Sequence, residues 1–455
     1  MKLNAYNKIH FIGIGGISMS SLAEILLNEG YTITGSDSSG SELTKALEAK
    51  GVRVMIGHNS KNVDDDVDLV VYTAAIAVDN LELAQANKMG IPAIDRAELV
   101  GLMMKEYKFP VSIAGTHGKT TTSSIISEIF LKAEAEPTIS IGGILPSIGG
   151  NFRIGKRDYF VLETCEYRDS FLKFNPHSAI ILNIELDHTD YFKDLNQVYY
   201  SFNTFARRIP SDGFVVINSD IKDYEKVLEN IEGRAITYGR AKESDWYAEN
   251  ISYNEFGFGV YDAYHKGEKY ATVELSVIGE HNIFNSLGAI ALTAEYGIAK
   301  EAILEGVKSF TGTHRRFEKT GEYNGAQIYD DYAHHPTEII ATITGARKKS
   351  PERLIIAFQP HTYTRTMDLL DEFAKTLKEA DEVLLLDIFA AREKDNGKVS
   401  SRDLERKLLE YGAKARYFES FDKAAEYARE LLKEKDIFIT MGAGDIYKLE
   451  KYITD

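Results

Sequence analysis

The chain has 455 residues, more than one hydrophobic core supports, so two or three domains of about 100 to 200 residues are expected. A formal net charge of -16 speaks against a nucleic-acid partner, 44% hydrophobic and 27% charged residues are those of an ordinary folded protein, and no apolar run approaches membrane-spanning length. The single cysteine, Cys165, excludes an intrachain disulfide and fits a reducing compartment; the amino terminus breaks into glycines at Gly13 to Gly16 where a leader would need an apolar core, so the expected location is the cytoplasm.

The first hundred or so residues alternate strand and helix patterns. Lys8 to Gly13 reads as strand, Ser20 to Glu29 as helix, Tyr31 to Ser36 as strand, Glu42 to Lys50 as helix and Leu69 to Tyr72 as strand. Such alternation predicts a parallel sheet with crossover helices. Leu99 to Tyr107 is helical in pattern and Pro110 begins a new strand, which puts a boundary near Lys108. The first glycine loop, Gly13-Ile14-Gly15-Gly16-Ile17-Ser18, follows a strand, and Asp37 ends the next one. Ser18 stands where the dinucleotide fingerprint has its third glycine. Either a diphosphate-bearing ligand sits on the helix end, with Asp37 or Ser36 near a ribose or base, or the glycines serve a tight strand-to-helix turn.

Phe109 to Thr122, FPVSIAGTHGKTTT, is an apolar run broken by Gly115 and closed by Gly118-Lys119-Thr120. A strand that ends in a glycine loop and opens a helix presents backbone N–H groups and a positive helix end to phosphate oxygens. Lys119 is placed to reach the β- and γ-phosphates, and the Thr120 hydroxyl to sit on magnesium. Ile113 occupies the position of the first glycine in the full pattern, so the match is to its second half. Farther on, Tyr159 to Glu163 and Ala179 to Ile184 read as strands that run into acidic residues. Glu163, Glu166, Asp187 and His188 lie just past them, at the sheet end where active sites of open α/β folds lie. They are either part of a magnesium shell or solvated loop charges. Cys165 between the glutamates reads as a small buried residue. Ala248 to Val277 alternates in the manner of an antiparallel addition, and Gly279 to Tyr296 as a loop and helix whose His281, Asn282 and Asn285 pair with a purine edge or cap the helix.

After Gly312 the alternation resumes, with strands at Gln327 to Tyr329, Leu354 to Phe358, Glu382 to Asp387 and Ile437 to Met441, and helices at Glu338 to Lys348, Met367 to Lys378, Ser401 to Glu410 and Ala424 to Lys433. Arg315-Arg316 falls at the junction, where arginine clamps phosphoryl oxygens or is a solvated linker pair. Asp330 to Pro336, DDYAHHP, and Gln359 to Arg365, QPHTYTR, each follow a strand; with no cysteine nearby, zinc at His334 and His335 is disfavoured, and Arg365 is placed to hold a carboxylate.

Taken in order, GIGGISMS, the Ser36-Asp37 pair, AGTHGKTTTSS, NIELDH, GEHNIFN, HRRFE, DDYAHHP and QPHTYTR resemble the Mur ligases over essentially the whole chain. The phosphate loop and the His281-Asn282-x-x-Asn285 segment are shared with folylpolyglutamate synthetases. GIGGISMS and DDYAHHP narrow the resemblance to the members that use UDP-N-acetylmuramate itself. The resemblance implies an α/β fold in three domains: a Rossmann-like UDP-sugar domain at 1–107, a P-loop ATPase-type ATP domain at 108–312, and a Rossmann-like amino-acid domain at 313–455.

It further implies ATP-dependent ligation of L-alanine to the carboxylate of UDP-N-acetylmuramate through an acyl phosphate, in peptidoglycan precursor synthesis, with ATP and Mg2+ as cofactors. Neither nucleic acid nor membrane is expected as partner, and the expected assembly is a monomer or homodimer. By the same match Gly115, Thr116, His117, Gly118, Lys119, Thr120 and Thr121 serve ATP, and Thr120, Glu163 and His188 hold metal. His281, Asn282 and Asn285 lie at the adenine or ribose, Arg316 and Asp331 bind ATP from the third domain, and Tyr332, His334 and Arg365 face the amino acid. Gly15, Gly16, Ser18, Ser36, Asp37, His58 and Thr73, Ala74 and Ala75 lie along the UDP-sugar. Lys119, Glu163, His188, Arg316 and His334 form the expected catalytic set, with His188 and His334 as alternatives for the base.

Two departures stand out: Glu163-Thr164-Cys165-Glu166 where the family often has Glu-Ala-Asp-Glu, and Thr362 where it commonly has a second arginine. A ligase that recycles murein tripeptide onto the same UDP-sugar is the nearest alternative. A nicotinamide-dependent oxidoreductase leaves the Lys119 loop without a role.

Overall fold

The computed structural model describes residues 2–454 except 74, 75, 78, 190, 392 and 396. Three sheets follow one another along the chain in a three-domain α/β architecture. The first holds β1 (Lys8–Ile12), β2 (Thr32–Asp37), β3 (Arg53–Ile56), β4 (Leu69–Tyr72) and β5 (Ala93–Asp95), all parallel, in the order β3-β2-β1-β4-β5. Helices α1 (Ile17–Asn28), α2 (Glu42–Ala49), α3 (Leu81–Met89) and α4 (Arg96–Met104) follow β1, β2, β4 and β5. The central strand β1 is buried beyond Lys8, with Ile9 and Phe11 on one face and His10 and Ile12 on the other, as helices on both sides of a parallel sheet require.

The second sheet has ten strands: β6 (Phe109–Ala114), β7 (Thr138–Leu145), β8 (Gly150–Arg153), β9 (Tyr159–Glu163), β10 (Ser178–Ile181), β11 (Phe214–Asn218), β12 (Arg234–Gly239), β13 (Trp246–Tyr253), β14 (Phe258–His265) and β15 (Glu268–Ile278). Strand β6 lies between β9 and β10, so the chain winds away from it in both directions and leaves a crevice at its carboxyl end. Helices α5 (Lys119–Lys132), α6 (Leu195–Ala206), α7 (Glu280–Glu295) and α8 (Lys300–Ser309) pack on this sheet. The third sheet, in the order β16-β17-β21-β18-β19-β20, comprises β16 (Glu318–Tyr323), β17 (Ala326–Asp331), β18 (Leu354–Phe358), β19 (Glu382–Leu385), β20 (Ala415–Tyr417) and β21 (Ile437–Met441). Here α9 (Pro336–Arg347), α10 (Tyr363–Asp368) and α11 (Leu370–Leu377) carry the segments that face the central domain.

The strand expected over Ala179 to Ile184 pairs only to Ile181; the chain then leaves the sheet, and the Asn183 side chain bonds the backbone of His117 instead. The helix expected over Met367 to Lys378 is two helices, because Leu369 leaves helical geometry (φ -112°, ψ 21°). The antiparallel addition takes the form of the meander β13-β14-β15. No helix among the described residues is long and apolar enough to cross a membrane.

Candidate active site

The crevice at the end of β6 is built by a turn that only glycine tolerates at its key position. Gly118, the residue before α5, has φ +79°, and a Cβ there would stand 2.9 Å from Asn285 Oδ1. The helix therefore opens without a side-chain cap, its first N–H groups directed into the crevice. Lys119 Nζ folds back over the loop, donating to the carbonyls of Gly115 and Thr116 and to Glu166 Oε2 at 3.3 Å. Burial opposes its charge, but Glu166 and Glu163 outweigh that and raise its pKa, so the ammonium stays protonated. Thr120 Oγ1 donates to Glu163 Oε2 at 2.9 Å, and the same oxygen accepts from Gly142 N at 2.7 Å.

A hydroxyl and a carboxylate side by side at a phosphate loop are the hard oxygen donors that magnesium selects. The His188 ring lies tilted against Tyr167, with centroids 4.6 Å apart, and its backbone lies in the left-handed region at φ 54°. Among the described residues the His, Cys, Asp and Glu side chains whose ligand atoms gather closely enough for one ion are His117, Glu185 and His335, within 4.8 Å of one another. His117 and Glu185 already face partners, although the buried His117 Nε2 makes no hydrogen bond among the described residues. His117 Nδ1 meets Glu338 Oε1 at 3.2 Å, its Nε2 lies 3.5 Å from Glu185 Oε2, and Thr337 Oγ1 donates to that same oxygen at 2.8 Å. Burial works against protonation of His117, but the two glutamates raise its pKa to about 9. The group is thus an imidazolium clamp between the phosphate loop and α9.

A second clamp joins the same two domains. Arg365 Nη2 donates to Asp187 Oδ1 at 3.0 Å, and its Nη1 contacts His361 Nδ1 at 3.3 Å, while its buried Nε has no partner among the described residues. Burial would raise the Asp187 carboxyl, but the Arg365 guanidinium holds it far below the usual range. His334 lies beside this pair, bonded through Nδ1 to the Tyr332 carbonyl at 3.0 Å; burial lowers its pKa to about 4, so the ring is neutral at pH 7.

Between the central and third domains lies a cavity of about 560 Å³ lined by Gly118, Thr121, His281, Asn282, Asn285, Arg316 and Asp331. Asn282 donates back to the Ile278 carbonyl at 2.7 Å and accepts from Asn285 at 3.0 Å, which links the two side chains at the start of α7. His281 opens into the cavity and is exposed to solvent there. The two junction arginines divide. Arg315 is locked to Asp330 at 2.8 Å and to the Gly442 and Gly444 carbonyls, whereas Arg316 lines the cavity; both guanidinium groups lie over the Tyr332 ring. Burial raises Asp331 to about 6 even though it accepts from Ala333 N and Phe317 N.

In the first domain Gly15 N donates to Asp37 Oδ2 at 2.9 Å, which ties the glycine loop to the end of β2. Ser36 and His58 converge on Glu82, a fully buried carboxylate that also takes His10 Nε2 at 2.8 Å. Burial would raise Glu82, but His10, Ser36 and Asn62 lower it to about 2. Thr73 begins the loop after β4, closing on the Ile12 carbonyl; Ala74 and Ala75 lie outside the described residues. Glu82, Glu185 and Glu338 were not singled out from sequence. Glu185 lies within the NIELDH run, and Glu338 had a signal three residues after His335 at a helix start.

Three family profiles match in succession: one described as Mur ligase family, catalytic domain, over residues 8–108; the Mur ligase middle domain over 113–293; and the Mur ligase, glutamate ligase domain over 315–444. A UDP-N-acetylmuramate–L-alanine ligase of Acetivibrio thermocellus is 49% identical over 99% of this chain and 97% of its own length. The chain belongs to the Mur ligase family. A protein of the same name from Caldanaerobacter subterraneus is likewise 49% identical, over 100% of this chain and 98% of its own. Among solved structures, a UDP-N-acetylmuramate–alanine ligase from Thermotoga maritima superposes with a TM-score of 0.81 at 28% identity, over 98% of each chain. A murein peptide ligase from Psychrobacter arcticus superposes less closely, with a TM-score of 0.72 at 25% identity, again over 98% of each. In this Mur ligase the two clamps bring DDYAHHP and QPHTYTR of the third domain onto AGTHGK and NIELDH of the central one.

Proposed function

We propose that this Mur ligase joins L-alanine to UDP-N-acetylmuramate with consumption of ATP, releasing ADP and phosphate, in the assembly of peptidoglycan precursors. The observation that carries the reading is the meeting of the Lys119 loop, at the end of β6, with third-domain segments that follow β17 and β18. A carboxylate resists attack by an amine because its charge and resonance repel the incoming lone pair. Transfer of the γ-phosphoryl group of ATP to the carboxylate converts it into an acyl phosphate, which the amine opens by expelling phosphate.

The central domain supplies the ATP site: the backbone of Gly115 to Thr121 cradles phosphates, Lys119 offsets the charge of two anions brought together, and His281, Asn282 and Asn285 face the nucleoside. Thr120 and Glu163 would hold magnesium, with His188 as a third ligand by the family resemblance; bound there, the ion would neutralise developing phosphoryl charge. Arg316 and Asp331 approach ATP from the third domain. The first domain takes the UDP-sugar along Gly15, Gly16, Ser18, Ser36, Asp37 and His58, with Thr73, Ala74 and Ala75 beside it. Arg365 takes the alanine carboxylate, its unpartnered Nε being one available donor, with Tyr332 and neutral His334 at the amine. Thr362 supports the first turn of α10 by accepting from Arg365 N, so one guanidinium grips the carboxylate where relatives commonly have two. Substrates of this kind are cytoplasmic, which accords with a reducing compartment for Cys165.

Phosphate release with UDP-N-acetylmuramate, ATP and Mg2+ should require L-alanine and should not be sustained by murein tripeptide. Release with the tripeptide and none with L-alanine would transfer the chain to the recycling reaction.

A further inference from the structure

His117, Glu185 and His335 lie together where the central and third domains meet, and their geometry is that of a metal centre. His117 Nδ1 lies 3.2 Å from Glu338 Oε1, and Glu338 is itself fixed by the His334 N–H at 3.1 Å. A carboxylate on one ring nitrogen orients a metal-binding histidine and leaves its other nitrogen as the ligand. That other nitrogen, Nε2, is buried and makes no hydrogen bond among the described residues. Glu185 Oε2 stands 3.5 Å from it, and a ring nitrogen of His335 completes a set of three atoms within 4.8 Å of one another. Ligands at about 2.0 to 2.1 Å in a tetrahedron are roughly 3.3 Å apart, so the first pair needs almost no movement and the third atom at most roughly 1.5 Å.

These groups are held before any ion arrives. Asn183 exchanges hydrogen bonds of 2.7 and 3.0 Å with the His117 backbone, and Glu185 N donates to Thr116 Oγ1 at 2.9 Å, which joins the two central-domain segments. His335 is the buried N-cap of α9, and Thr337 of the same turn donates its hydroxyl to Glu185 Oε2 at 2.8 Å. Burial lowers the His335 pKa, which favours the neutral ring that a metal requires. Two carboxylates, Glu185 and Glu338, flank the single imidazolium of His117, an excess of negative charge that a divalent cation in place of the Nε2 proton would cancel. His117 and Glu185 also line the cavity between the domains, which gives an ion a way in and room for water in a fourth position. Two imidazoles with one carboxylate suit zinc, whereas magnesium takes oxygen donors such as Thr120 and Glu163.

We infer that His117, Glu185 and His335 bind a divalent transition-metal ion, zinc by their donor set, which ties the third domain to the phosphate loop and is separate from the magnesium of the nucleotide. On binding, the ion displaces the Nε2 proton of His117 to solvent.

Full-length protein stripped of metal and kept free of nucleotide, in excess Mg2+, can be titrated with Co2+ followed by visible absorption, and with Zn2+ in competition with a chromophoric chelator. Wild type should bind one equivalent of Co2+ with the intense d–d bands of a four- or five-coordinate site, and Zn2+ should abolish them. Glu185→Gln and His335→Gln should each weaken Zn2+ by at least about 100-fold, since a direct ligand outweighs the roughly 10- to 100-fold typical of an orienting partner. Bound Zn2+ should raise the melting temperature of wild type and leave that of either variant unchanged. His188→Gln should keep the wild-type Zn2+ affinity; a loss there would put the ion at the nucleotide's metal site and overturn the inference. Equal Zn2+ affinity in wild type, Glu185→Gln and His335→Gln, meaning adventitious binding at surface histidines only, also overturns it. So does a wild type that takes up no Co2+ or shows only the weak bands of an octahedral ion, a result that holds whether or not a variant folds.

Discussion

Glu166 and the carbonyls of Gly115 and Thr116 hold the Lys119 ammonium at the mouth of the phosphate loop, protonated and largely desolvated, where its field on an incoming phosphoryl group is strong. Lys119→Ala should lower kcat in the phosphate-release assay by at least about 100-fold, the scale for removing one preorganised electrostatic partner. Binding of UDP-N-acetylmuramate should change little, since Lys119 lies outside the first domain; wild-type turnover in the variant would remove Lys119 from the chemistry. Lys119, Thr120 and Arg365 were legible because each stands at a fixed offset from a strand end in a recognisable run. Glu82 was not: it is an ordinary charge at a helix start, and only the fold reveals that it gathers His10, Ser36 and His58. The expected metal role of Glu163 and His188 rests on a motif, and the His188 ring lies against Tyr167.

At the scale of elements, long amphipathic or wholly apolar segments were readable, since their periodicity reports what they bury. Short strands such as β3 and β5 were not, because three or four residues carry no period and their pairing is set by neighbours. The boundaries moved for local reasons: α1 starts at Ile17 after Gly16, and the capping box of Asp95 and Glu98 starts α4 at Arg96. Helix α5, which presents the phosphate loop, depends on close approach to α8. A Cβ on Gly306 would lie 2.5 Å from the Ile129 Cα, a backbone atom that cannot rotate away. Gly306→Ala should therefore destabilise the protein by about 1 to 3 kcal/mol in chemical denaturation, despite the better helix propensity of alanine. Unchanged or increased stability would mean that α5 and α8 are not packed so closely.

For the whole molecule, the site exists only where domains meet, and His117 is the residue through which pH acts on that meeting. Its folded pKa of about 9 exceeds the ordinary 6.5, so the clamp contributes stability in full below pH 6.5 and loses it as pH rises through 9. The contribution is at most roughly 3 kcal/mol, from the size of that shift. The melting-temperature advantage of wild type over His117→Gln should accordingly be largest near pH 6 and shrink toward pH 9.5; an advantage independent of pH would mean that His117 is held neutral. Three α/β units in series were legible from alternation and from the spacing of motifs. Which surfaces face one another was not, because contacts such as Arg365 with Asp187 join residues 178 apart and leave no local pattern.

The central claim is that a carboxylate held against the Lys119 loop is activated by phosphorylation before the amine attacks. Mass spectrometry of the phosphate released from UDP-N-acetylmuramate labelled with 18O in its lactyl carboxylate tests this directly. One carboxylate-derived 18O atom is expected in each phosphate formed with L-alanine; ligation that releases unlabelled phosphate would contradict activation by phosphorylation.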